Sequence, residues 1–368
     1  MKDAIGLINM QDNCQLKGLK EDRPLAALPF AGKYRLIDFV LSGMVNAGIE
    51  TVGLLLPRNS RPILDHVRSG KEWDLAHKSD GLFYLPVEVE DMGEDDISDI
   101  KSYFRNLHFV EYDAQKYLVL SYCHMLHNID YNKVMHFHRQ HNADVTLIYK
   151  NMEQPYPGQA YVLSVAEDGR VQAISQKATI EPGDNLFLET VLIDSSVFTR
   201  AVRRAYISGK KNFFEDVLGS ELKHLRVFGY AYTSYTARIS SIQAYYKASI
   251  DLLNLDNFKT VFKPGLHIRT KIKDEAPAKY LEESNVKNCI IANGCIIEGK
   301  VENSILFRNV HVGKNACVKN SIIMQRTTIG EEAQLDCVIC DKNATIQPEA
   351  ILKGTAEQPL CIAKYGER

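Results

Sequence analysis

A six-residue repeat in the C-terminal part of the chain restricts its fold more than any other feature of the sequence. Apolar residues recur at this spacing, as at Val312, Val318 and Met324, with Asn, Gly and small residues between them. Ordinary strands alternate with a period of two, so this period predicts a left-handed parallel β-helix of hexapeptide repeats, whose coils bury apolar residues by stacking. An antiparallel β-domain remains the alternative. We expect the stacked Asn and Gly turns to be structural, and the free faces and ends of the helix to make oligomer contacts.

The preceding part of the chain alternates short apolar runs with amphipathic stretches. Ala4–Ile8, Thr51–Leu56 and Tyr117–Ser121 are predicted as strands buried on both faces, and Ile37–Ala47 as a helix. This alternation predicts an α/β domain with a Rossmann-like, mostly parallel sheet covered by helices. Ligands of such sheets bind outside the carboxyl ends of the strands, so residues 9–29 are the first place to look for a site.

The change of pattern near a charged stretch divides the chain. We predict the α/β domain over residues 1–255, a linker over 256–284 and the β-helix over 285–368. We therefore expect the functional site in the loop after the first strand and not in the β-helix.

Composition excludes several classes of function. The formal net charge is −2, from 44 Lys and Arg against 46 Asp and Glu, which argues against a dedicated nucleic-acid binder. No apolar run reaches the roughly 18 residues that span a bilayer, and the first ten residues lack a signal-peptide cleavage pattern. The eight cysteines do not show the spacing of a tetrahedral metal site. We expect a soluble, cytoplasmic protein that binds neither nucleic acid nor membrane.

One segment is specific enough to indicate a family. Residues 29–39 read PFAGKYRLIDF, which resembles the PFGGKYRLIDF segment of bacterial and plant glucose-1-phosphate adenylyltransferases (ADP-glucose pyrophosphorylases). Residues 41–42, 46–49, 66, 73–75 and 301–308 match the same family, so the resemblance covers essentially the whole chain. It implies a nucleotidyltransferase domain followed by a β-helix. It also implies the family's reaction, which joins ATP and glucose 1-phosphate to give ADP-glucose and pyrophosphate for glycogen synthesis.

The chain departs from this family in the loop that approaches the triphosphate. The family's GGxGTRL corresponds to residues 10–16, which contain no glycine, carry Asp12 and have Gln15 in place of the arginine. Side chains and an added negative charge make this backbone poorly suited to lie against phosphate oxygens. In the next segment Arg23 remains, but Leu25 replaces the lysine that faces the phosphates.

The two aspartates that hold Mg²⁺ in the family are both replaced. Cys123 takes the place of the first and Arg238 that of the second. Mg²⁺ prefers oxygen ligands, so neither a thiol nor a guanidinium substitutes for them. We expect this chain to bind no metal or other cofactor and to have no catalytic residues, with Mg²⁺ used by a catalytic partner. The less favoured alternatives make Cys123 a nucleophile, or group it with nearby histidines as a transition-metal site: His124, His127, His136, His138 and His141.

Other positions of the family's site are retained. Lys177 stands where the family has its sugar-phosphate lysine, and with Arg23 it forms the predicted remnant of a substrate-binding site. A solvated strand lysine is the alternative interpretation of Lys177. The resemblance gives Lys33 and Arg35 an effector or scaffold role, between which the sequence does not decide.

These losses favour a regulatory function over a catalytic one. If one charge-stabilising group is worth ~10²–10³ in rate, losing both metal carboxylates, an arginine and a lysine should cost well over ~10⁵. The chain therefore resembles the GlgD-type regulatory subunits of the family. The resemblance implies a hetero-oligomer, expected to be a tetramer, with a catalytic glucose-1-phosphate adenylyltransferase subunit, and a sugar phosphate as effector. The alternatives are a stand-alone sugar-phosphate sensor and a nucleotidyltransferase with residual or altered activity.

Overall fold

The computed structural model describes residues 1–11, 16, 18–19, 23–77, 80–86, 98–112 and 115–368. They form an α/β part built around one large sheet, followed by a β-helix. Over these residues no helix is both long and apolar enough to cross a membrane.

The strands of the α/β part are short and largely buried. In chain order they are β1 Ala4–Asn9, β2 Pro29–Phe30, β3 Tyr34–Arg35, β4 Thr51–Leu55, β5 Gly81–Leu85, β6 Tyr117–Tyr122, β7 Met125–Leu126, β8 Val145–Asn151, β9 Tyr156–Val165, β10 Val171–Ile180, β11 Asn185–Asp194, β12 Val227–Ala231 and β13 Ala237–Arg238. The helices are α1 Leu36–Asn46, α2 Arg61–Val67, α3 Asp99–Arg105, α4 Leu107–Tyr112, α5 Tyr131–Gln140, α6 Ser195–Ile207, α7 Gly219–Glu221, α8 Ile242–Asp251 and α9 Leu255–Val261. A π-helical turn spans Phe213–Leu218, and 3₁₀ turns span Leu25–Ala27 and Lys71–Trp73.

Within the described residues the large sheet has the strand order β10-β9-β11-β6-β1-β4-β5, and β8 pairs with β11 and β12. The run β6-β1-β4-β5 is parallel, and β11 then runs antiparallel to β6, β8 and β9. The predicted fold class is confirmed, and the parallel half is the half that carries the predicted site. The strands β1 and β6 are buried along their whole length, because helices cover both faces of the sheet.

Helix α1 lies between the sheet and the β-helix, which explains why it is apolar on both sides. Ile37 and Met44 pack against the sheet, whereas Phe39 packs toward the β-helix. Gly6 in β1 lets α1 pack close to the sheet, since a Cβ atom at position 6 would lie 2.5 Å from the Met44 Sδ. The Asp38 carboxylate begins the helix by accepting the Arg35 backbone N–H at 2.9 Å.

The described part of the β-helix consists of three parallel sheets of five strands each. In chain order the strands are β14 Lys279–Tyr280, β15 Asn285–Lys287, β16 Ile290–Ile291, β17 Ile296–Ile297, β18 Lys300–Glu302, β19 Ile305–Leu306, β20 His311–Val312, β21 Cys317–Lys319, β22 Ile322–Ile323, β23 Thr328–Ile329, β24 Gln334–Asp336, β25 Val338–Cys340, β26 Thr345–Ile346, β27 Ile351–Lys353 and β28 Leu360–Ile362. Each strand pairs in register with the strand three places later in the chain, on the next coil. The predicted β-helix of hexapeptide repeats is therefore confirmed.

Most coils are shorter than a strict period of six requires. Ser304 and Ser321, one coil apart, are separated by 17 positions. Val312 and Val318 lie in the interior as predicted, but the next interior residue is Ile323, and Met324 packs outward against the α/β part. Ile322 and Ile339 are likewise 17 positions apart, whereas Ile290 and Ile305 are 15 apart, so the coil length varies along the β-helix. The turns between sides contain left-handed asparagines, including Asn303 and Asn320 with φ of 46° at both, a conformation that Asn tolerates better than most residues.

One face of the β-helix packs directly on the α/β part. Ile305, Ile322 and Ile339 stack along this face and join the same cluster as Phe30 and Tyr245. The Tyr245 hydroxyl also donates to the Pro29 carbonyl at 2.7 Å. The segment that carries the family motif is thus held between the two parts.

The predicted boundaries stay predictions, because the two parts are joined by a shared apolar cluster rather than separated by an open linker. Helix α9 runs through 255–261, and the first β-helix strand begins at Lys279.

Candidate functional site

The carboxyl ends of β1, β4 and β6 meet at one edge of the sheet, where the fold predicts a ligand cleft. Cys123 and His124 follow β6 directly and are buried. The short strand β7 pairs antiparallel with β13, and the Ile239 backbone N–H donates to the His124 carbonyl at 2.7 Å. The structure therefore brings together the two segments that replace the family's metal-binding aspartates.

Glu189 is an acidic residue of this edge that sequence reasoning missed. It lies in β11, with 5% of its surface exposed. One carboxylate oxygen, Oε1, lies 3.0 Å from the His124 Nε2 and 3.3 Å from the Arg238 Nε. Burial alone would raise the pKa of Glu189, but the neighbouring His124 and Arg238 hold it below its ordinary value. The carboxylate is therefore ionised, and the Arg238 guanidinium supplies a counter-charge from the chain itself.

The guanidinium of Arg238 also reaches across the cleft edge. Its Nη1 donates to the Gln159 carbonyl in β9 at 2.7 Å. Together with the Glu189 contact, this anchors the side chain to two different strands. The only sequence signal for Glu189 is an acidic residue inside the apolar run of β11.

A second buried acid, Asp99, lies near the same edge at the start of α3. Its carboxylate accepts hydrogen bonds from the Asn9 Nδ2 at 3.2 Å and the Tyr122 hydroxyl at 3.1 Å. The Tyr122 hydroxyl is also 2.7 Å from that of Tyr103. Burial raises the pKa of Asp99 to about 6. This carboxylate is thus occupied by internal hydrogen bonds.

The residues present do not fit Mg²⁺, the metal that the family resemblance implies. Cys123 offers a buried thiol, Arg238 carries a positive charge, and the Glu189 Oε1 already lies against His124 and Arg238. A hard cation requires several free oxygen ligands. Among the described residues, no three or more His, Cys, Asp or Glu side chains are grouped so that they could hold a metal ion. The neighbouring histidines have separate partners, with His127 on Thr190 and His138 on Thr146.

Lys177 and Arg23, the predicted remnant of a substrate-binding site, lie in different surroundings. Lys177 is partly exposed on β10, and its Nζ lies 2.6 Å from the Asp184 Oδ1. Arg23 is buried between the α/β part and the β-helix, where it forms an ion pair with Asp341. Each charge already has a counter-charge within the chain.

The predicted change in the phosphate loop concerns residues that lie mostly outside the described part. Asp12 and Gln15 fall outside it. Leu25, which replaces the family's lysine, is buried in the 3₁₀ turn that follows. Its side chain belongs to the apolar cluster between the two parts.

Lys33 and Arg35, the predicted effector or scaffold residues, line a cavity of about 250 Å³ between the two parts. In the described residues its wall contains seven cationic side chains and one carboxylate, Asp65: the cations are Lys33, Arg35, Lys271, Lys273, Arg308, Arg326 and Lys342. We call this cavity the basic pocket. Sequence reasoning missed its other five cations, because they come from the linker and from successive β-helix coils.

The wall of the basic pocket carries more positive than negative charge, and of its cations Arg308 has a nearby acid, with its Nε 3.5 Å from the Glu275 Oε2. Burial, with the neighbouring Arg35 and Arg23, lowers the pKa of Lys342 to about 7. Burial also lowers the pKa of His66, although its Nε2 lies 2.6 Å from the Asp38 Oδ1. The Gln325 Oε1 in the wall is buried and has no hydrogen-bond partner within the described residues. Clustered Arg and Lys side chains of this kind can bind phosphate groups.

Comparison with protein families places the chain in a class that agrees with this architecture. Residues 14–236 match the model of the nucleotidyl transferases, and residues 276–357 match the GlmU-like C-terminal hexapeptide model. The chain belongs to the nucleotidyl transferase family.

Curated relatives narrow this class and confirm the resemblance seen in the sequence. The chain is 38% identical to the glycogen biosynthesis protein GlgD of Bacillus subtilis over 95% of its own length and 92% of the relative's. It is 39% identical to GlgD of Geobacillus stearothermophilus over the same shares. Glucose-1-phosphate adenylyltransferase of Mycoplasma mobile is 30% identical over 83% of this chain and 81% of that one.

Proposed function

We propose that this chain is a regulatory, catalytically deficient subunit of a glucose-1-phosphate adenylyltransferase in glycogen biosynthesis. The observation that carries the proposal is the contact of Glu189 with His124 and Arg238 at the cleft edge. The reaction needs free carboxylates to hold a metal ion, but the Glu189 carboxylate of this chain is already paired with Arg238. The similarity to GlgD proteins supports a role in glycogen biosynthesis.

Adenylyl transfer depends on positioning and on neutralising the charge that develops on the phosphates. In this chain Arg238 is committed to Glu189 and the Gln159 carbonyl, and Asp99 to Tyr122 and Asn9. None of these groups can turn to a substrate without breaking a contact within the chain. The described groups thus support binding roles and not turnover.

The chain then acts by assembling with a catalytic glucose-1-phosphate adenylyltransferase subunit. The assembly is a hetero-oligomer, expected to be a tetramer. In that assembly Mg²⁺ acts on the catalytic subunit alone. A regulatory subunit changes the affinity or turnover of its partner through interface contacts, with a coupling free energy of about 1–3 kcal/mol.

The basic pocket is the proposed site of a sugar-phosphate effector. Lys33 and Arg35 come from the α/β part, Lys271 and Lys273 from the linker, and the remaining cations from the β-helix. An anion bound there contacts both parts of the chain at once. Its binding is therefore able to change how the two parts sit together. The same observation favours the second candidate function, a stand-alone sugar-phosphate sensor.

Reconstitution tests the proposal. The purified chain alone should release no pyrophosphate from ATP and glucose 1-phosphate. Titrating it into the catalytic subunit should change that subunit's KM or kcat until a fixed ratio is reached. Robust synthesis by the isolated chain, or an unchanged partner over the full titration, would contradict the proposal.

A pocket variant separates the two candidate functions. Lys273→Gln with Arg326→Gln should weaken binding of fructose 1,6-bisphosphate, whereas Lys223→Gln, an exposed lysine outside the pocket, should not. If the double variant still regulates the partner but no longer responds to the effector, the subunit role holds. If the chain binds the effector but never affects the partner, the sensor role is favoured.

A further inference from the structure

Glu189 adopts a backbone conformation that its residue type disfavours. Its φ is 48°, in the left-handed region, where a Cβ atom meets the backbone and glycine is the usual residue. It lies where the register of β11 against β8 is interrupted, between Phe187 and Val191. A strained residue that persists in a strand indicates that its side chain has a role that the local backbone does not explain.

That side chain lies between an imidazole and a guanidinium from other elements. His124 comes from the end of β6 and Arg238 from β13, and both approach the same carboxylate oxygen. Without Glu189, an imidazole and a guanidinium would face each other across a buried space. Such a pair, on the cleft edge of an α/β sheet, has the chemistry of a site for a phosphate monoester.

We propose that His124 and Arg238 form an anion site for a phosphate monoester and that Glu189 occupies it as a built-in anion. The carboxylate sits where a ligand's phosphate oxygen would otherwise lie. The chain supplies the counter-charge itself, so the cleft stays closed to sugar phosphates. If the chain is the regulatory subunit proposed above, this closure prevents it from competing with its catalytic partner for substrate.

The arrangement accounts for the combination of strain and burial better than a purely structural role does. A structural ion pair between Arg238 and an acid needs no left-handed backbone. The left-handed turn at position 189 is what carries the carboxylate back to both His124 and Arg238. Asp99 is the other acid near this edge, and its carboxylate accepts hydrogen bonds from Asn9 and Tyr122.

Replacing Glu189 tests the proposal directly in the full chain. Glu189→Gly removes the carboxylate, opens the space and suits the left-handed backbone, whereas Glu189→Gln removes only the charge. Both variants are made in the Lys273→Gln/Arg326→Gln background, so that the basic pocket contributes less phosphate binding, and each is compared with that background chain. Isothermal titration with inorganic phosphate and with glucose 1-phosphate is the measurement, with circular dichroism as the check on folding.

We expect the glycine variant to bind phosphate at least about tenfold more tightly than the background chain, with the glutamine variant between them. Adding Arg238→Gln should abolish the gain. The proposal is overturned if neither folded variant binds more tightly than the background, or if the gain survives loss of Arg238. Because the pocket variants are present throughout, failure of this inference is distinguishable from failure of the effector proposal.

Discussion

Arg23 and Asp341, which are 318 positions apart in the chain, form an ion pair buried between the α/β part and the β-helix. The two side chains are 6% and 2% exposed. Arg23 follows the loop after β1, and Asp341 precedes Lys342 of the basic pocket. The pair therefore joins the segment that follows the predicted phosphate loop to the β-helix segment that carries Lys342.

Removing one partner of this pair should destabilise the chain strongly. Asp341→Asn leaves the Arg23 charge buried without compensation, which costs about 3–5 kcal/mol. The midpoint of denaturant unfolding measures the loss. Arg203→Gln is the control, since it breaks an exposed pair with Glu111 and should cost at most about 1 kcal/mol. Equal effects of the two changes would contradict the burial argument, whereas Arg23→Met with Asp341→Leu should recover most of the loss.

The interior of the β-helix should be far more sensitive than its surface. Ile329 is fully buried inside the coils, and Ile329→Ala should cost about 2–5 kcal/mol by leaving a cavity. Ile296 is 41% exposed, so Ile296→Ala should cost less than about 1.5 kcal/mol. Thermal unfolding of the two variants is the measurement. A larger loss at position 296 would show that this face is covered in solution.

Lys342 should make stability depend on pH in a defined direction. Its pKa is about 7 in the folded chain against an ordinary 10.5, because burial and then Arg35 and Arg23 disfavour the ammonium. Between these values the unfolded chain holds the extra proton, so this group's contribution to stability rises with pH across the window. Lys342→Met should therefore stabilise the chain most at pH 6, with the gain shrinking toward pH 10. Melting temperatures across this range check the sign.

The same group should make anion binding weaken as pH rises. Above pH 7 the Lys342 ammonium loses its proton, and the basic pocket loses one positive charge. Binding of fructose 1,6-bisphosphate, followed by titration calorimetry between pH 7 and pH 9, should decline in the parent chain. Lys342→Arg keeps the charge and should flatten the profile. An identical decline in both chains would show that Lys342 is not responsible.

Restoring the family's aspartates should not restore catalysis. Cys123→Asp with Arg238→Asp places two carboxylates beside Glu189 and removes the cation that neutralises it. Like charges at close range repel, and no triphosphate loop is rebuilt by the change. Pyrophosphate release with Mg²⁺ or Mn²⁺ should stay at the level of the parent chain. A clear gain in activity would mean that the metal ligands alone had been missing.

Part of the site could be predicted from the sequence, because it depends on which residue stands at single positions of a motif. The substitutions at Cys123 and Arg238 could be read from the aligned motifs, and the structure brings their segments together. Glu189 could not be predicted, because its role depends on a left-handed backbone at one interrupted register of β11. The basic pocket was seen only at Lys33 and Arg35, since its other cations come from distant segments.

The sequence alone determined the two-part architecture and the family, because a period near six and a dense local motif constrain neighbouring residues directly. Only the tertiary structure decided which charges neutralise one another. Ion pairs such as Arg23 with Asp341 and Arg238 with Glu189 join positions that no local pattern relates. Their partners are set by how the sheet edge, the linker and the stacked coils come together, and burial then makes each pairing obligatory.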